Sequence, residues 1–424
     1  MSMRVRNAVG LAGAMLSASG LLSLLCLASA FGQDQRTAQS DCNAPPGEPI
    51  AYLVLPGHPF GTVSTQDGCW LFTSLTSSNP KSGNGIGLIE RSGGRLTFSK
   101  FFLVETGPAG MVMTHDEELL IVADGDYVVF MDVSRMISGK GDPILGYMSD
   151  GDSAGSVYVN VTDDDKLLFV SDEWSEAISV INLQKARAEG FKESAIIGKI
   201  PVGRTPIALT FSPDQRWLYT TSQIAPESYK WPKECRPEGA PETAPLRNPK
   251  GAVIVVDVGR ARTDPASSIV GKVPAGCNPV RLAISPSGDQ AYVTARNSNS
   301  LLAFDTARLR TGAADALIGA VPTGSAPVGV IVVNDGKQIL VTNSNRFSTD
   351  TNARQMVTVI DASKVGAGSG AVMGTIPAGA FPREFALSPD KRTVFLTNFN
   401  SSELQVIDLS RMEIEPTRAS PRRH

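Results

Sequence analysis

A motif that recurs along the whole 424-residue chain limits its possible folds more than any other sequence feature. Each copy consists of a Gly/Pro turn, a short run of alternating apolar residues and a second turn of the Ser-Pro-Asp type. The turn residues that open the seven copies are Pro59, Pro108, Ser156, Pro206, Pro279, Pro327 and Pro382. A repeat of this size indicates one array of small units, where the length alone would suggest two or three domains.

Three further strands are predicted in each unit. The second strand is apolar, and the fourth leads into the next Gly/Pro turn. The third strand ends in an acid or amide at Glu90, Asp132, Asn182, Asp257, Asp305, Asp361 and Asp408. Such a side chain can accept a hydrogen bond from the backbone of the next turn, so we interpret these positions as structural and not catalytic. Short strands rich in β-branched and aromatic residues predict an all-β fold, a seven-bladed β-propeller of four-stranded antiparallel blades.

Several second and third strands share a short sequence pattern. Examples are residues 292–294 (Tyr-Val-Thr), 340–343 (Leu-Val-Thr-Asn) and 179–182 (Ser-Val-Ile-Asn). These segments resemble the YVTN-repeat β-propeller family and the related lactonase-like seven-bladed propellers. The resemblance covers roughly residues 50–412 and implies the fold. It implies no single activity, because members of that family have diverse roles.

The two ends of the repeat array are complementary. The last unit has three strands only, whereas residues 49–57 read like a fourth strand followed by a turn. We therefore expect the N-terminal strand to complete blade seven and to close the ring over residues 48–412, which hides the sheet edges. Residues 31–47 are interpreted as an N-terminal extension, and residues 413–424 as a disordered C-terminal tail.

The first thirty residues are interpreted as a secretory signal peptide. Arg4 and Arg6 precede an apolar run over residues 8–27, and an Ala-Ser-Ala cleavage site ends at Ala30. An uncleaved membrane anchor is the alternative, because the run is close to the length that spans a bilayer. Cleavage predicts an exported protein, periplasmic or extracellular, with no stable membrane insertion.

Four cysteines remain after cleavage, an even number suited to an oxidising compartment. In a four-stranded blade, the first-to-second and third-to-fourth turns lie on one face, here called the bottom. The second-to-third loops and the blade-to-blade connections lie on the other, the top. Cys42 and Cys69 both approach the bottom, whereas Cys235 and Cys277 both lie on top. The predicted disulfides are therefore Cys42–Cys69 and Cys235–Cys277, with free buried thiols as the alternative.

Three second-to-third loops are enlarged, and all of them lie on the predicted top face. They cover residues 74–85, 223–251 and 345–355. Long loops on a rigid scaffold either carry function or are tolerated insertions. Because the largest loop contains a cysteine, we expect it to be fastened to its neighbour.

The candidate site residues lie where the chain enters the first strands. They are the catalytic candidates His58 and Glu384 and the ligand-binding candidates Tyr158, Arg204, Arg281 and Arg383. The arginines are suited to grip the carboxylate or phosphate of an anionic small molecule. Lactonase chemistry would need a base near pH 7 or a metal-activated water, together with an electrophile for the developing oxyanion, and His58 with Glu384 could be assembled into such a site. The alternative is a solvated channel rim with an Arg–Glu ion pair.

Composition excludes several classes of function. Three histidines are too few for a His-rich metal centre, and His115 falls in a bottom-face turn, where a surface role is expected. Residues 163–165 (Asp-Asp-Asp) also read as a solvated turn, since a calcium site needs more oxygen ligands. The formal net charge of −3 argues against nucleic acid as a partner. With no phosphate loop, Cys-x-x-Cys, Gly-x-Ser-x-Gly or haem-attachment motif, we predict no metal and no cofactor.

The sequence supports a main hypothesis and two alternatives. The main hypothesis is an exported, monomeric propeller that binds a protein or a small anionic ligand through its top face. The first alternative is a lactonase-like hydrolase with its site in the top central channel, so enzymatic activity is left open. The second is a subunit of a periplasmic redox complex that acts through a partner.

Overall fold

The structure is a computed structural model that describes residues 41–77 and 83–416. Seven four-stranded antiparallel sheets form the blades of a propeller, which confirms the predicted fold class. First strands of successive blades contact one another around the ring and enclose a central channel. The predicted signal peptide, residues 31–40, the tip of the blade-one loop at 78–82 and residues 417–424 lie outside the described residues.

The strands run from the channel outward in each blade. Blade one comprises His58–Ser64, Trp70–Thr76, Asn84–Ser92 and Arg95–Val104, and blade two Met111–Met113, Leu119–Asp124, Tyr127–Asp132 and Ile144–Met148. Blade three comprises Ser156–Val161, Leu167–Asp172, Ala177–Asn182 and Ile196–Pro201, and blade four Arg204–Phe211, Trp217–Ile224, Ala252–Asp257 and Ile269–Pro274. Blade five comprises Pro279–Ile284, Gln290–Ala295, Ser300–Asp305 and Leu317–Pro322, and blade six Pro327–Val333, Gln338–Asn343, Arg354–Asp361 and Val372–Ala380. Blade seven comprises Pro382–Leu387, Thr393–Asn398, Glu403–Asp408 and Ile50–Val54.

Short helices and one extra hairpin join these strands. The α-helices are Val133–Ser138, Leu183–Glu189, Val258–Ala261 and Thr306–Arg310. The 3-10 helices are Glu193–Ala195, Glu227–Tyr229, Pro265–Ser267, Arg296–Ser298 and Ala362–Ala371. The enlarged blade-four loop contains a hairpin of Lys233–Cys235 and Asn248–Pro249. Within the two described ranges, no helix combines the length and the apolar character needed to cross a membrane.

The ring closes as predicted, through the N-terminal strand. Ile50–Val54 pairs antiparallel with Glu403–Asp408, the third strand of blade seven. Residues 413–416, the start of the expected C-terminal tail, are among the described residues. Glu415 exchanges two backbone hydrogen bonds, of 2.8 and 2.9 Å, with Thr375 of the outer blade-six strand. Residues 413–416 therefore lie against blade six.

The hydrophobic core lies between the blades. One cluster packs Phe130 of blade two against Val170 of blade three, and another packs Val359 of blade six against Leu396 of blade seven. Each of the seven interfaces between neighbouring blades in the described chain contains a cluster of this kind. Apolar burial between the blades therefore holds the ring together, and the central channel does not have to be filled by a hydrophobic core.

In blades two to six, the acid or amide that ends the third strand is structural, as predicted. Asp132 and Asn182 cap the helices that follow them, each accepting a backbone N–H hydrogen bond of 2.9 Å. Asp257, Asp305 and Asp361 do the same in blades four, five and six. Such caps stabilise a helix start by about 1 kcal/mol.

Hydroxyl side chains on the second strands join neighbouring blades at the channel. Thr397 Oγ1 accepts the backbone N–H of Glu384 in its own blade at 3.1 Å and donates to the carbonyl of Phe60 in blade one at 2.8 Å. Ser74, Thr221 and Thr294 make the same pair of hydrogen bonds in blades one, four and five. We call these contacts the hydroxyl bridges.

Blade two has an alanine, Ala123, at the position of the hydroxyl bridges. There Gly110 donates its backbone N–H directly to the carbonyl of Val157 in blade three, at 3.0 Å. A Cβ atom at Gly110 would overlap the Tyr158 ring, so only glycine permits this approach. The direct backbone contact thus replaces the hydroxyl bridge.

Both predicted disulfides are present. Cys42–Cys69 joins Cα atoms 4.8 Å apart and holds residues 41–47 to the bottom of blade one. Cys235–Cys277 joins Cα atoms 5.6 Å apart. It fastens the enlarged blade-four loop, residues 223–251, to the connection between blades four and five. We call residues 223–251 the disulfide loop.

Candidate functional site

The channel residues project from irregular points in the first strands. In six blades the pairing of the first and second strands shifts register just after the turn, for example between Pro279 and Leu282. Such bulges re-aim side chains. As a result, the successive residues Val280 and Arg281 both line the same cavity. At the position that corresponds to Arg281, four blades carry glycine or alanine, namely Gly61, Gly110, Ala208 and Gly329. These small residues leave space in the channel for the large residues that the other three blades carry there.

Tyr158, Arg281 and Glu384 fill that space and form what we call the channel plug. Arg281 Nη2 lies 2.9 Å from Glu384 Oε2, and the Tyr158 hydroxyl donates to Glu384 Oε1 at 2.5 Å. The guanidinium also lies over the Tyr158 ring, 4.4 Å from its centroid. Burial and the Glu384 charge raise the pKa of Tyr158, which keeps its hydroxyl protonated as a donor.

The channel plug lies between two cavities. The upper cavity opens toward the top face and has a volume of about 400 Å³, and the lower has about 310 Å³. Arg281 lines both, although its side chain is only 8% exposed. Its Nε and Nη1 atoms are buried without a hydrogen-bond partner in the described chain. The ion pair with Glu384 therefore leaves donors of Arg281 unused.

Arg383 carries a positive charge in the upper cavity with aromatic rings as its neighbours. Its Cζ atom lies 3.8 Å from the centroid of Phe60, 5.3 Å from that of Phe399 and 5.7 Å from that of Phe381. Among residues 41–77 and 83–416, no ion pair or hydrogen bond engages its guanidinium. Burial, followed by the charge of Arg281, lowers the pKa of Arg383 to about 9, so the group stays charged at neutral pH.

The disulfide loop supplies the other side of the upper cavity. Glu238 in this loop accepts from Arg296 at 2.7 Å, and Arg346 lies 3.4 Å from the same oxygen. Arg296 also donates to Gln223 at 2.7 Å and is 4% exposed. Burial lowers the pKa of Arg296 to about 10, against the opposing effect of Glu238. Cys235–Cys277 therefore positions a carboxylate over two arginines.

Glu173 is the remaining charged residue of the upper cavity in the described chain. Burial raises the pKa of its carboxyl, while the positive charges of Arg296 and Arg383 oppose that shift. The donors Arg296 Nε and Arg383 Nε are buried without a partner, like those of Arg281. A cavity with several unpaired guanidinium donors is suited to a ligand that brings acceptor oxygens.

The structure brings together four of the six candidate residues from the sequence. Tyr158, Arg281 and Glu384 form the channel plug, and Arg383 lies above it. Arg204 lies elsewhere: its side chain is 62% exposed and its Nε is 3.4 Å from Glu176 Oε1.

His58 is the other candidate that lies apart from the channel plug. Its Nδ1 is 2.7 Å from the Phe399 carbonyl oxygen and 3.2 Å from Ser402 Oγ, and its ring stacks on Phe399. Among the described contacts, none joins His58 to Glu384. The structure therefore does not assemble the candidate catalytic pair.

Four cavity residues were missed by the sequence reasoning, which considered only the connections entering the first strands. Glu173 and Arg296 follow second strands directly, and Glu238 and Arg346 lie in enlarged second-to-third loops. These loops share the top face with the first-strand connections. A charged residue next to a buried second strand was the available signal, as in residues 294–296 (Thr-Ala-Arg).

The remaining histidine of the described chain lies on the bottom face. His115 Nδ1 is 2.9 Å from Asp165 Oδ1, and its Nε2 is 3.4 Å from Asp163 Oδ1. Its side chain is about half exposed. Over residues 41–77 and 83–416, no group of three or more His, Cys, Asp or Glu side chains is arranged to hold a metal ion.

The molecule is similar to solved propeller structures at low sequence identity. A hydrazine synthase chain from Kuenenia stuttgartiensis gives a TM-score of 0.61 at 17% identity, over 85% of this chain and 97% of that chain. A chain of a mitotic checkpoint complex gives 0.60 at 14% identity, over 96% and 99%. No protein-family model and no curated protein matches the sequence. These identities show the fold alone, and the YVTN-repeat family stays a resemblance.

Proposed function

We propose that this protein is a ligand-binding propeller that takes a small anionic molecule into the upper cavity at its top face. The observation that carries the proposal is Arg383, a buried guanidinium that faces the cavity without a carboxylate partner. An unpaired buried charge is costly, and an anionic ligand would offset that cost. Unpaired donors on Arg281 and Arg296 support the same conclusion.

The surroundings of the candidate catalytic residues favour binding over hydrolysis. Both oxygens of Glu384 already accept hydrogen bonds, from Tyr158 and Arg281. His58 is turned toward the Phe399 carbonyl. Neither group is free beside the arginines to take a proton from water, as the lactonase alternative requires.

Export remains part of the proposal. The two disulfides are typical of chains that fold in an oxidising compartment, in line with the predicted signal peptide. A protein partner at the top face is a second candidate, favoured by exposed aromatic side chains on its loops. Trp174 is 67% exposed and Phe347 43% exposed. Exposed aromatic residues of this kind are enriched at protein interfaces.

Calorimetric titration with acetate, benzoate, citrate and inorganic phosphate tests the proposal. We expect at least one of these anions to bind the wild type, and Arg383→Met to weaken that binding about 10- to 100-fold. Arg204→Met is the matched control and should bind as the wild type does, because Arg204 lies outside the cavity. Equal binding by Arg383→Met and wild type, or no binding of any anion, would overturn the proposal.

A further inference from the structure

We propose that the ligand of the upper cavity is a monocarboxylate with an apolar body, such as an aromatic or branched carboxylic acid. This inference rests on the proposed function and deepens it, because it names the ligand class. Three properties of the cavity carry it: the balance of charge, the apolar wall and the orientation of Arg383.

The positively charged side chains around the upper cavity outnumber the negatively charged ones by one. Four arginines line it in the described chain, Arg281, Arg296, Arg346 and Arg383. Against them stand Glu173 and Glu238 in the wall and Glu384 in the channel plug. With the three carboxylates ionised, one positive charge remains, and a single negative charge on the ligand neutralises it. A dianion such as a phosphate monoester would reverse the excess, and buried unpaired charge is costly in either sign.

Part of the wall between the arginines is apolar, while Thr205, Gln223, Asn248 and Asn278 line other parts of the cavity. Ile207, Val280 and Val328 pack across the channel at 7%, 4% and 6% exposure, with Val157 against them. Phe60 completes this ring, which we call the apolar collar. The collar offers no side-chain hydrogen bond to a ligand hydroxyl, so the part of a polyol or sugar that lies against the collar would lose hydration without compensation. An apolar body gains from leaving water there.

The orientation of Arg383 suits a carboxylate. Its guanidinium lies over the Phe60 ring, and the N–H donors of a guanidinium point outward in its own plane. Stacking therefore occupies a face of the group and leaves its edges for a ligand. Two carboxylate oxygens match such an edge through a pair of parallel hydrogen bonds. The cavity volume of about 400 Å³ lies within the range typical of small-molecule sites.

Calorimetric titration of the full-length protein with four related compounds tests the inference. Phenylacetate carries both proposed features, acetate lacks the body, phenylacetamide lacks the charge, and phenyl phosphate is a dianion near pH 8. We expect phenylacetate to bind at least about tenfold more tightly than each of the other three. If phenyl phosphate or acetate binds as tightly as phenylacetate, the ligand class is wrong while the anion site survives. If no anion binds, the proposed function fails first.

Variants of the apolar collar give a second test. Val280→Thr and Val328→Thr keep the side-chain shape and introduce a hydroxyl, so we expect each to weaken phenylacetate about three- to tenfold and leave acetate unchanged. Val330→Thr, in the wall of the lower cavity, is the matched control and should change neither. Thermal unfolding confirms that each variant is folded. An equal loss for both ligands, or the same loss in Val330→Thr, would contradict the inference.

Discussion

The hydroxyl bridges, on the second strands, lie beside the channel plug, on the first strands, yet the bridges recur around the ring and the plug does not. Glu384 belongs to both: its backbone N–H is held by Thr397, while its carboxylate binds Arg281 and Tyr158. The backbone contact recurs around the ring, whereas the side-chain contact occurs once, among single residues of blades three, five and seven. Recurring residues thus hold the backbone, and the departures from the repeat bring chemical groups into the centre.

The largest expected effect concerns a departure from the repeat in blade three. Asp172 ends the second strand there and is fully buried, 3.0 Å from Lys199 Nζ. Burial, and next the charge of Asp150, raise the pKa of Asp172 well above its ordinary value. The folded state then binds more protons than the unfolded state from about pH 4 upward through neutral pH, so stability falls as pH rises.

Urea unfolding measured at a series of pH values checks this expectation. The free energy of unfolding should decline by several kcal/mol in total over that range. Asp172→Asn should flatten the decline. Asp361 is the control of opposite sign, because its hydrogen bonds with Ser363 lower the pKa of its carboxyl. Asp361→Asn should therefore lower stability by a constant amount above the ordinary carboxyl pKa, and change the slope of stability with pH only near and below that pKa. A stability curve that rises from pH 4 to pH 8 in the wild type would contradict the assignment.

The next largest effect should come from breaking one hydroxyl bridge. Thr397→Val leaves the Glu384 N–H and the Phe60 carbonyl unpaired where the ring closes. We expect a loss of about 2–3 kcal/mol in the free energy of unfolding, measured with urea. Thr97→Val, on the exposed outer strand of blade one, should stay within about 0.5 kcal/mol of the wild type. Equal losses in the two variants would show that the bridges do not hold the blades.

A hydroxyl added in blade two, which lacks a hydroxyl bridge, tests whether the recurring residue would be favourable there. Ala123→Thr restores the recurring residue in blade two, but Gly110 there contacts the Val157 carbonyl directly. The extra atoms have no gap to fill, so we expect the free energy of unfolding to fall by about 1–2 kcal/mol. A gain in thermal stability would mean that blade two tolerates both arrangements.

The smallest effect on stability should come from the residue with the largest expected effect on binding. Arg383→Met removes an unpaired buried charge and also its contact with Phe60. Removing the charge should stabilise the folded state, whereas losing the contact should destabilise it. The free energy of unfolding should therefore stay within about 1 kcal/mol of the wild type. Urea unfolding beside anion titration separates the two roles. A loss as large as that of Thr397→Val would assign Arg383 to the scaffold.

The sequence was sufficient to predict the fold because each of its determinants is local and repeated. Turn residues and strand periodicity recur in every unit and helix caps in five of them, and the closing strand could be recognised as the missing fourth strand. The disulfides followed from the face on which each cysteine lies. None of these inferences needed the conformation of a long loop.

The site was only partly predictable because side-chain direction depends on position relative to the turn proline. Arg281 and Arg383 follow Pro279 and Pro382 at the bulge and reach the cavity. Arg204 precedes its proline and lies on the outer rim. His58 also precedes its proline and is held by Phe399.

The enlarged loops set a second limit on prediction. Glu238 reaches Arg296 only because the disulfide loop folds over the ring. Arg346 lies in the enlarged loop of blade six and approaches the same carboxylate. Contacts of this kind join loops of different blades, and no repeated pattern encodes them.

The closing strand has a consequence for how the molecule is made. Ile50–Val54 leaves the ribosome long before its partner Glu403–Asp408 is synthesised. The Thr397 hydroxyl and the Phe60 carbonyl, which seal the same junction, are 337 positions apart in the chain. Blades can dock one after another during synthesis, yet ring closure has to wait until the third strand of blade seven has been made. A nascent chain that stalls before blade seven would keep an unpaired strand edge, a target for chaperones and for aggregation.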